Sequence, residues 1–410
     1  MGLIDFIKAT VNVWLKGDRY YWAWIVFLGI LIISGFSAYI NQLNDGLVLT
    51  NMRDPISWGF YIGNFTFLVG VAAAAVLLVI PAYIYNWGPI KEVVLLGELL
   101  AISAIVMCFL FVTVDIGRPD RVMHIMPIVG TLNFPMSLLA WDILVLNLYF
   151  ILNLVIAVYI IYMGFKGKHY NKKILIPLVL LSIPSAVSIH TVTAFLYNGI
   201  AARPFWNASI LAPRFLASAF CSGPAVLLIL FQILRKTEGL KIKDAALHKV
   251  AELMAYAMSI NLFLLGAEVF KEYYSNTEHL IFTKVLFSSV HGKTEVHYFM
   301  WPALACGIIS FFLFLIPKTR QNVYTMNLGC ILIFFGVYIE KGMGLVIPGL
   351  TPDTLGEIYQ YAPSFTEYRV ASGIFAIGFL VFTLLVKMAV PFTMRELGGE
   401  NTGEQSHAAH

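Results

Sequence analysis

The 410 residues are 59% hydrophobic and 12% charged, with a formal net charge of +4 and a mean hydropathy of +0.80. Ordinary soluble domains carry about 25% charged residues, so this chain has too little polar surface to remain in water. Its abundant apolar surface equally excludes disorder, and the small net charge gives no support to nucleic-acid binding.

The apolar residues fall in blocks of roughly 20, the length that crosses a hydrocarbon core. Met1 to Arg19 is polar and mixed in charge, and no small-residue cleavage site follows the first apolar block, so no signal peptide is expected. Ten spans are predicted: Tyr20–Ile40, Gly59–Tyr85, Val93–Val114, Pro135–Tyr162, Ile174–Tyr197, Ile210–Leu234, Leu247–Phe270, Val296–Ile316, Tyr324–Met343 and Tyr368–Val390. The seventh is the least apolar, because it contains Glu252, Asn261 and Glu268. The fold class is therefore an all-α integral membrane protein. Residues 1–410 form one polytopic membrane domain with spans over about 20–390, and Glu396 to His410 read as a flexible tail.

Lysine and arginine are denser on the face that carries both chain ends, in the clusters Lys166, Lys168, Lys172, Lys173 and Arg235, Lys236, Lys241, Lys243. The positive-inside rule then places both termini in the cytoplasm, with the chain in the cell membrane. A short internal repeat pairs Phe67-x-x-Gly70-x-Ala72 in the second span with Phe220-x-x-Gly223-x-Ala225 in the sixth. Both spans run inward, as a parallel duplication of four helices requires. Cys108, Cys221, Cys306 and Cys330 lie far apart in apolar stretches without any CxxC, which offers no signature for an iron–sulfur cluster or a zinc site.

An ionisable side chain in hydrocarbon costs about 2.5–3.5 kcal/mol on insertion scales, so each one needs a reason. Asp115 closes the third span at the outer face, Asp142 lies near the outer end of the fourth, and His190 near that of the fifth. Glu268, Glu340 and Asn64 take similar depths in the seventh, ninth and second spans. Six polar groups from six helices thus converge on the outer leaflet. Beyond the helix ends lie Arg118, Asp120, Arg121 and His124, then Arg203 to Asn207 with Trp206, then Lys271 to Tyr274. Interfacial anchoring and the aromatic belt are the plainer account of several of these.

His190 has Thr193 at i+3 and Tyr197 at i+7 on its helical face. A buried histidine with hydroxyl neighbours exchanges a proton near neutral pH; an ordinary interhelical hydrogen bond is the competing account. Haem is not expected, since a transmembrane b-type haem needs two facing buried histidines and only His190 lies deep in a span. Toward the inside, Glu98 and Glu252 are the carboxylates predicted to be buried, with Glu252, Tyr256 and Ser259 on one face.

Five segments carry a family resemblance. They are Asp115-x-Gly117-Arg118-Pro119-Asp120-Arg121, Met136-Ser137-x-x-x-Trp141-Asp142, Ser188-Ile189-His190-Thr191-Val192-Thr193-Ala194-Phe195, Arg203-Pro204-Phe205-Trp206-Asn207, and Ala212-Pro213-Arg214-Phe215-Leu216-Ala217-Ser218-Ala219. In this order they resemble the NrfD, or polysulfide reductase membrane subunit, family. The histidine–threonine segment and the ten-span length look most like the DsrP subunits of DsrMKJOP complexes, with hydrogenase and Hmc-complex subunits as close competitors.

The resemblance implies two four-helix bundles with flanking helices, an exchangeable menaquinone at an outer pocket, and no haem or iron–sulfur cluster in this chain. It also implies an extracytoplasmic iron–sulfur partner over that pocket. Further redox subunits follow if the chain is DsrP-like: a cytochrome, a haem b membrane subunit and a cytoplasmic iron–sulfur subunit. Carried over by motif, Asp115, Arg118, His190, Arg203 and Trp206 are placed near the pocket, with Thr193 beside His190; Glu268 is added on its depth. His190, Asp115 and Glu268 are the expected proton-handling groups. Arg118, His190, Thr193, Arg203 and Trp206 are the expected quinone-binding ones.

Two function classes remain. A quinone-reactive redox subunit needs an apolar slot and polar groups at the ring oxygens. A secondary transporter or ion-translocating protein would use the same charges as a substrate path, but at the midplane with broken helices. The crowding of polar groups at one face favours the first.

Overall fold

A computed structural model describes residues 2–79, 82, 87, 90, 93–125, 128–237, 239–240, 242–290 and 295–394. Its helices are α1 (Leu3–Trp14), α2 (Arg19–Asp45), α3 (Phe60–Ala72), α4 (Ala74–Val79), α5 (Val94–Asp115), α6 (Leu138–Phe165), α7 (Lys172–Asn198) and α8 (Leu211–Thr237). They continue with α9 (Asp244–Ser275), α10 (Leu280–Phe287), α11 (Val296–Leu315), α12 (Pro317–Gln321), α13 (Val323–Lys341), α14 (Met343–Leu350) and α15 (Phe365–Ala389). Among the described residues, nine segments are helical, long and apolar enough to cross a membrane. Helices satisfy every backbone group internally, which hydrocarbon demands. The chain is an all-α integral membrane protein.

The expected second span is only partly described. It forms α3, a turn at Ala73, and α4, after which most residues to Tyr85 lie outside the described set, as does the expected tail from Glu396. The ninth span also differs from its expected end. Gly342, at φ −85° and ψ −109°, leaves the helical region and closes α13, and α14 starts anew at Met343.

The packing has a repeated order. In one bundle α3 meets α5, α5 meets α6, α6 meets α7, and α7 returns to α3 and α4. In the other, α8 meets α9, α9 meets α11, α11 meets α13, and α13 returns to α8. The Phe67–Ala72 and Phe220–Ala225 segments thus sit in equivalent helices, α3 and α8, which also pack on each other. The equivalent helices α7 and α13 both begin at an asparagine cap. Asn171 accepts from the Lys173 amide and Asn322 from those of Tyr324 and Thr325.

α5 is apolar on all sides and accordingly buried along most of its length. One side faces the first bundle, and the other is covered by α15, on which α2 packs. α2 and α15 cross at glycine: a Cβ on Gly35 would stand 2.7 Å from Gly373 Cα. Gly35→Val is therefore expected to push the two backbones apart and destabilise the protein by about 1–3 kcal/mol, the cost of overpacking. Thermal unfolding in detergent, followed by size exclusion, checks this; an unchanged midpoint would refute so close a crossing.

Candidate functional site

α2, α5, α7, α9 and α13 run toward the face opposite the chain ends, here the distal face, and α3, α6, α8, α11 and α15 start there. Every polar group expected at the outer leaflet belongs to the distal part of its helix. The structure sorts these groups into three clusters.

The first joins α6 and α7. Thr193 Oγ1 donates to Asp142 Oδ1 at 2.8 Å, both side chains being buried. One turn earlier, His190 Nδ1 lies 2.9 Å from the Ala186 carbonyl. A carbonyl only accepts, so Nδ1 carries the hydrogen and Nε2 of the neutral ring presents a lone pair. Nε2 is shut away from solvent and has no hydrogen-bond partner. On the same helix the Tyr197 hydroxyl pairs with Thr66 Oγ1 at 2.5 Å. The Tyr197 ring meets Trp58 and Trp206 edge-on, at 5.3 and 5.1 Å between centroids.

Trp206 is fully buried, and its Nε1 donates to the Leu345 carbonyl at 2.8 Å. Its seat requires glycine at 349, where a Cβ would stand 1.9 Å from the indole. Arg203, half-buried, donates from Nη1 to the Leu350 carbonyl at 3.1 Å. Both residues tie the loop after α7 to α14.

The second cluster joins α8, α9 and α13. Arg214 donates from Nη1 to Glu268 and from Nη2 to Glu340 at 2.8 Å. Asn261 Nδ2 donates to the other Glu340 oxygen at 3.1 Å. Lys341 is 3% exposed; its Nζ lies 3.8 Å from Glu340 and 4.6 Å above the Phe215 ring, with no hydrogen bond. Two cations thus balance two carboxylates. Glu268 also lines a cavity of about 120 Å³ with Phe205, Asn207, Lys271, Glu272 and His279.

The third cluster links the flanking helices to the first bundle. Tyr61 donates to Gln42 at 2.8 Å, and Gln42 to the Val114 carbonyl at 2.7 Å. Glu367, fully buried, accepts from the backbone amides of Ser364 and Asn51, at 2.8 and 3.0 Å, and from the Tyr361 hydroxyl. Asp115 is half-buried, its Oδ1 enclosed and without a hydrogen-bond partner. Asn64 bridges the bundles by accepting from the Tyr338 hydroxyl at 2.7 Å.

The expected site residues therefore do not form one pocket. His190, Thr193 and Asp142 come together, Glu268 and Glu340 share Arg214, and Asp115 stands with the third cluster. Arg118 stays at the surface in an ion pair with Asp120 at 2.9 Å, their side chains 67% and 58% exposed. That guanidinium holds Asp120 below the usual carboxylate range, although exposed pairs contribute little. Glu252 corrects an expectation. It is half-buried rather than enclosed, because Lys249 and Arg320 reach it at 3.3 and 3.8 Å, and Tyr256 donates to it at 2.9 Å. Glu98 is buried, and neither carboxylate oxygen has a hydrogen-bond partner. Among the described residues no three His, Cys, Asp or Glu side chains gather as a metal site would require.

Arg214 and Lys341 were not singled out as site residues from sequence. Each lies near a helix end, where a cation reads as an anchor. The available signal was the count of carboxylates: Glu268 and Glu340 at one depth require buried positive charge. Arg214→Met leaves Glu268 without its cation and is expected to cost about 3–5 kcal/mol, as for a broken buried pair. The triple change R214M/E268Q/E340Q should recover part of that loss in thermal unfolding; equal loss in both would show that the charges are not coupled.

Comparison with known proteins places the chain. The polysulphide reductase NrfD family model matches residues 48–352. A Halobacterium salinarum protein named for a membrane subunit of dimethyl sulfoxide reductase is 25% identical over 398 residues, covering 87% of this chain and 88% of its own. A protein of Mesobacillus selenatarsenatis named as a selenate reductase subunit is 23% identical, covering 93% and 96%. The Hdr-like menaquinol oxidoreductase integral membrane subunit of Archaeoglobus fulgidus is 23% identical, covering 91% and 94%. With a family match running from the loop before α3 past the end of α14, the chain belongs to the polysulphide reductase NrfD family.

Proposed function

We propose that this chain is the quinone-reactive membrane subunit of a multisubunit respiratory redox complex. It exchanges electrons between a menaquinone pool and an iron–sulfur subunit docked over the distal face. The single observation that carries the reading is His190 Nε2, a buried lone pair without a partner beside the Thr193–Asp142 pair. A buried acceptor left open costs about 1–3 kcal/mol, and a role in binding or chemistry is one reason for a protein to retain it. The relatives, named as subunits of reductases and as an integral membrane subunit of a menaquinol oxidoreductase, support the same class.

Bound menaquinone or its quinol supplies a two-electron, two-proton couple. His190 Nε2 is then the proton acceptor or donor at a ring oxygen, in a setting where Thr193 and Asp142 fix the adjoining turn of α7. Trp206 and Tyr197 give the distal end a rigid aromatic wall, anchored by Arg203. Glu268, with its carboxylate on the distal cavity, and Asp115 at the end of α5 pass protons between this region and the distal solvent. Electrons pass between the quinone and partner subunits. In a DsrP-like assembly these are an extracytoplasmic iron–sulfur protein, a cytochrome, a haem b membrane subunit and a cytoplasmic iron–sulfur subunit. The lysine and arginine clusters support an orientation with the distal face outside the cytoplasm and both termini within it.

His190→Ala in the assembled complex is expected to slow quinone-linked electron transfer about 10²- to 10⁴-fold, the usual contribution of a positioned acid–base group. Normal turnover by an assembled variant would remove His190 from the chemistry. Proton exchange on the distal side makes a second expectation. Glu98→Gln, in complex sealed into vesicles with an internal pH indicator, should leave both turnover and the internal pH response unchanged. Loss of an internal response that the parent shows would establish a route through Glu98 instead.

A further inference from the structure

The residues of α1 fall into three sets around the helix. Phe6 and Thr10 are buried against the protein. Ile4, Ile7 and Val11, with Leu3 beside them, are between 41% and 68% exposed, and Asp5, Lys8 and Asn12 are exposed and polar. At 3.6 residues per turn the three sets point roughly a third of a turn apart. An ordinary amphipathic helix has two surroundings, its own core and water; the exposed apolar set gives α1 a third.

The protein side fixes the level of α1. Phe6 meets Tyr162 and Phe165 at the end of α6, edge-on, at 5.3 and 5.4 Å between centroids, and Phe392 just past α15 at 6.1 Å. Trp14 Nε1 donates to the Leu384 carbonyl of α15, and the Tyr21 hydroxyl of α2 donates to the Trp14 carbonyl, both at 2.9 Å. α6 and α15 end, and α2 begins, at the face that carries the chain ends, where a spanning helix leaves the hydrocarbon. Twelve residues measure about 18 Å, short of the roughly 30 Å core, so α1 adds no crossing. Its exposed apolar side chains need the bilayer boundary to receive them.

The charges around α1 are mainly positive. Lys8 borders the apolar set, Lys16 and Arg19 follow the helix, and Lys166 Nζ lies 4.3 Å over the Tyr162 ring that Phe6 touches. Lys168, Lys172 and Lys173, all exposed, follow Lys166. The carboxylates nearest in sequence are used as helix caps: Asp5 accepts from the Gly2 amide at 2.8 Å and Asp18 from that of Tyr21 at 2.9 Å. We propose that α1 is an interfacial lipid-binding helix. Ile4, Ile7 and Val11 enter the acyl boundary of the bilayer, and Lys8 with Lys168, Lys172 and Lys173 holds the headgroups of anionic phospholipids. An apolar strip beside a basic rim is completed at once by such a headgroup and its acyl chains. Phe6 then ties the ends of α6 and α15 to the membrane surface.

The test uses the full chain. In nanodiscs of phosphatidylcholine with phosphatidylglycerol, a nitroxide is placed at Ile4→Cys, Ile7→Cys or Asn12→Cys, with the half-buried Cys306 replaced by alanine and the other three cysteines buried. At positions 4 and 7 oxygen should relax the label more than a water-soluble nickel chelate does, and at position 12 the order should reverse. In detergent, phosphatidylglycerol and phosphatidylcholine are titrated as probes and bound lipid is read by native mass spectrometry. The parent should retain phosphatidylglycerol more tightly. K8Q/K168Q/K172Q/K173Q should weaken it about fivefold or more, given the attraction of each lysine to an anionic surface, with phosphatidylcholine unchanged. Labels at 4 and 7 as open to the chelate as the one at 12 would overturn the inference and leave the apolar set for a peripheral subunit. Equal retention of the two lipids by the parent, or phosphatidylglycerol affinity that survives the four substitutions, would overturn it as well.

Discussion

Arg214 reaches from α8 to Glu268 on α9 and, at 2.8 Å, to Glu340 on α13. In hydrocarbon that fork is a condition for burying the carboxylates, because an unpaired buried charge costs several kcal/mol. Its two arms leave no freedom in how the three helices meet at the distal end. Asn261 then takes the remaining side of Glu340, and Lys341 sits beside the same carboxylate with its hydrogens unclaimed. The Glu340 carboxylate thus serves both cations, Arg214 through a hydrogen bond and Lys341 at 3.8 Å.

The duplication gives that arrangement a counterpart. α7 and α13 hold equivalent positions, one carrying His190 and the other Lys341, and α8 packs on both. Two similar bundles would bury two similar interiors; here the equivalent places carry complementary chemistry. α5 and the flanking pair α2 and α15 carry neither residue. Their polar cluster around Gln42, Tyr61 and Glu367 is largely closed by its own hydrogen bonds, and Asp115 Oδ1 alone remains enclosed without one. Closed clusters hold helices together, whereas open ones have capacity for a ligand.

Most of the helix plan was legible in the sequence, because an uninterrupted apolar run of spanning length has one outcome in a membrane. The breaks were not. The turn at Ala73 lies within an unbroken apolar run, and Gly342 ends α13 where the apolar pattern continues into Leu345 and Val346. The His190–Thr193–Asp142 group was legible in part: helical spacing puts Thr193 over His190, but the bond to Asp142 joins two helices and has no sequence signature. Glu252 read as buried because its span is apolar, while one of the cations it pairs with, Arg320, lies 68 positions further on. Arg214 and Lys341 were hidden for a related reason. A cation near a helix end has a plain interfacial account, and only the contact itself shows that these two turn inward.

What distinguishes the first two clusters is which atoms they leave over. Asp142 uses one oxygen on Thr193, Glu340 is satisfied by Arg214 and Asn261, and Tyr338 is spent on Asn64. After these pairings His190 Nε2, Asn261 Oδ1, Arg214 Nε and Lys341 Nζ remain enclosed without a hydrogen-bond partner, so both clusters keep unspent donors or acceptors in the distal part of the bundles.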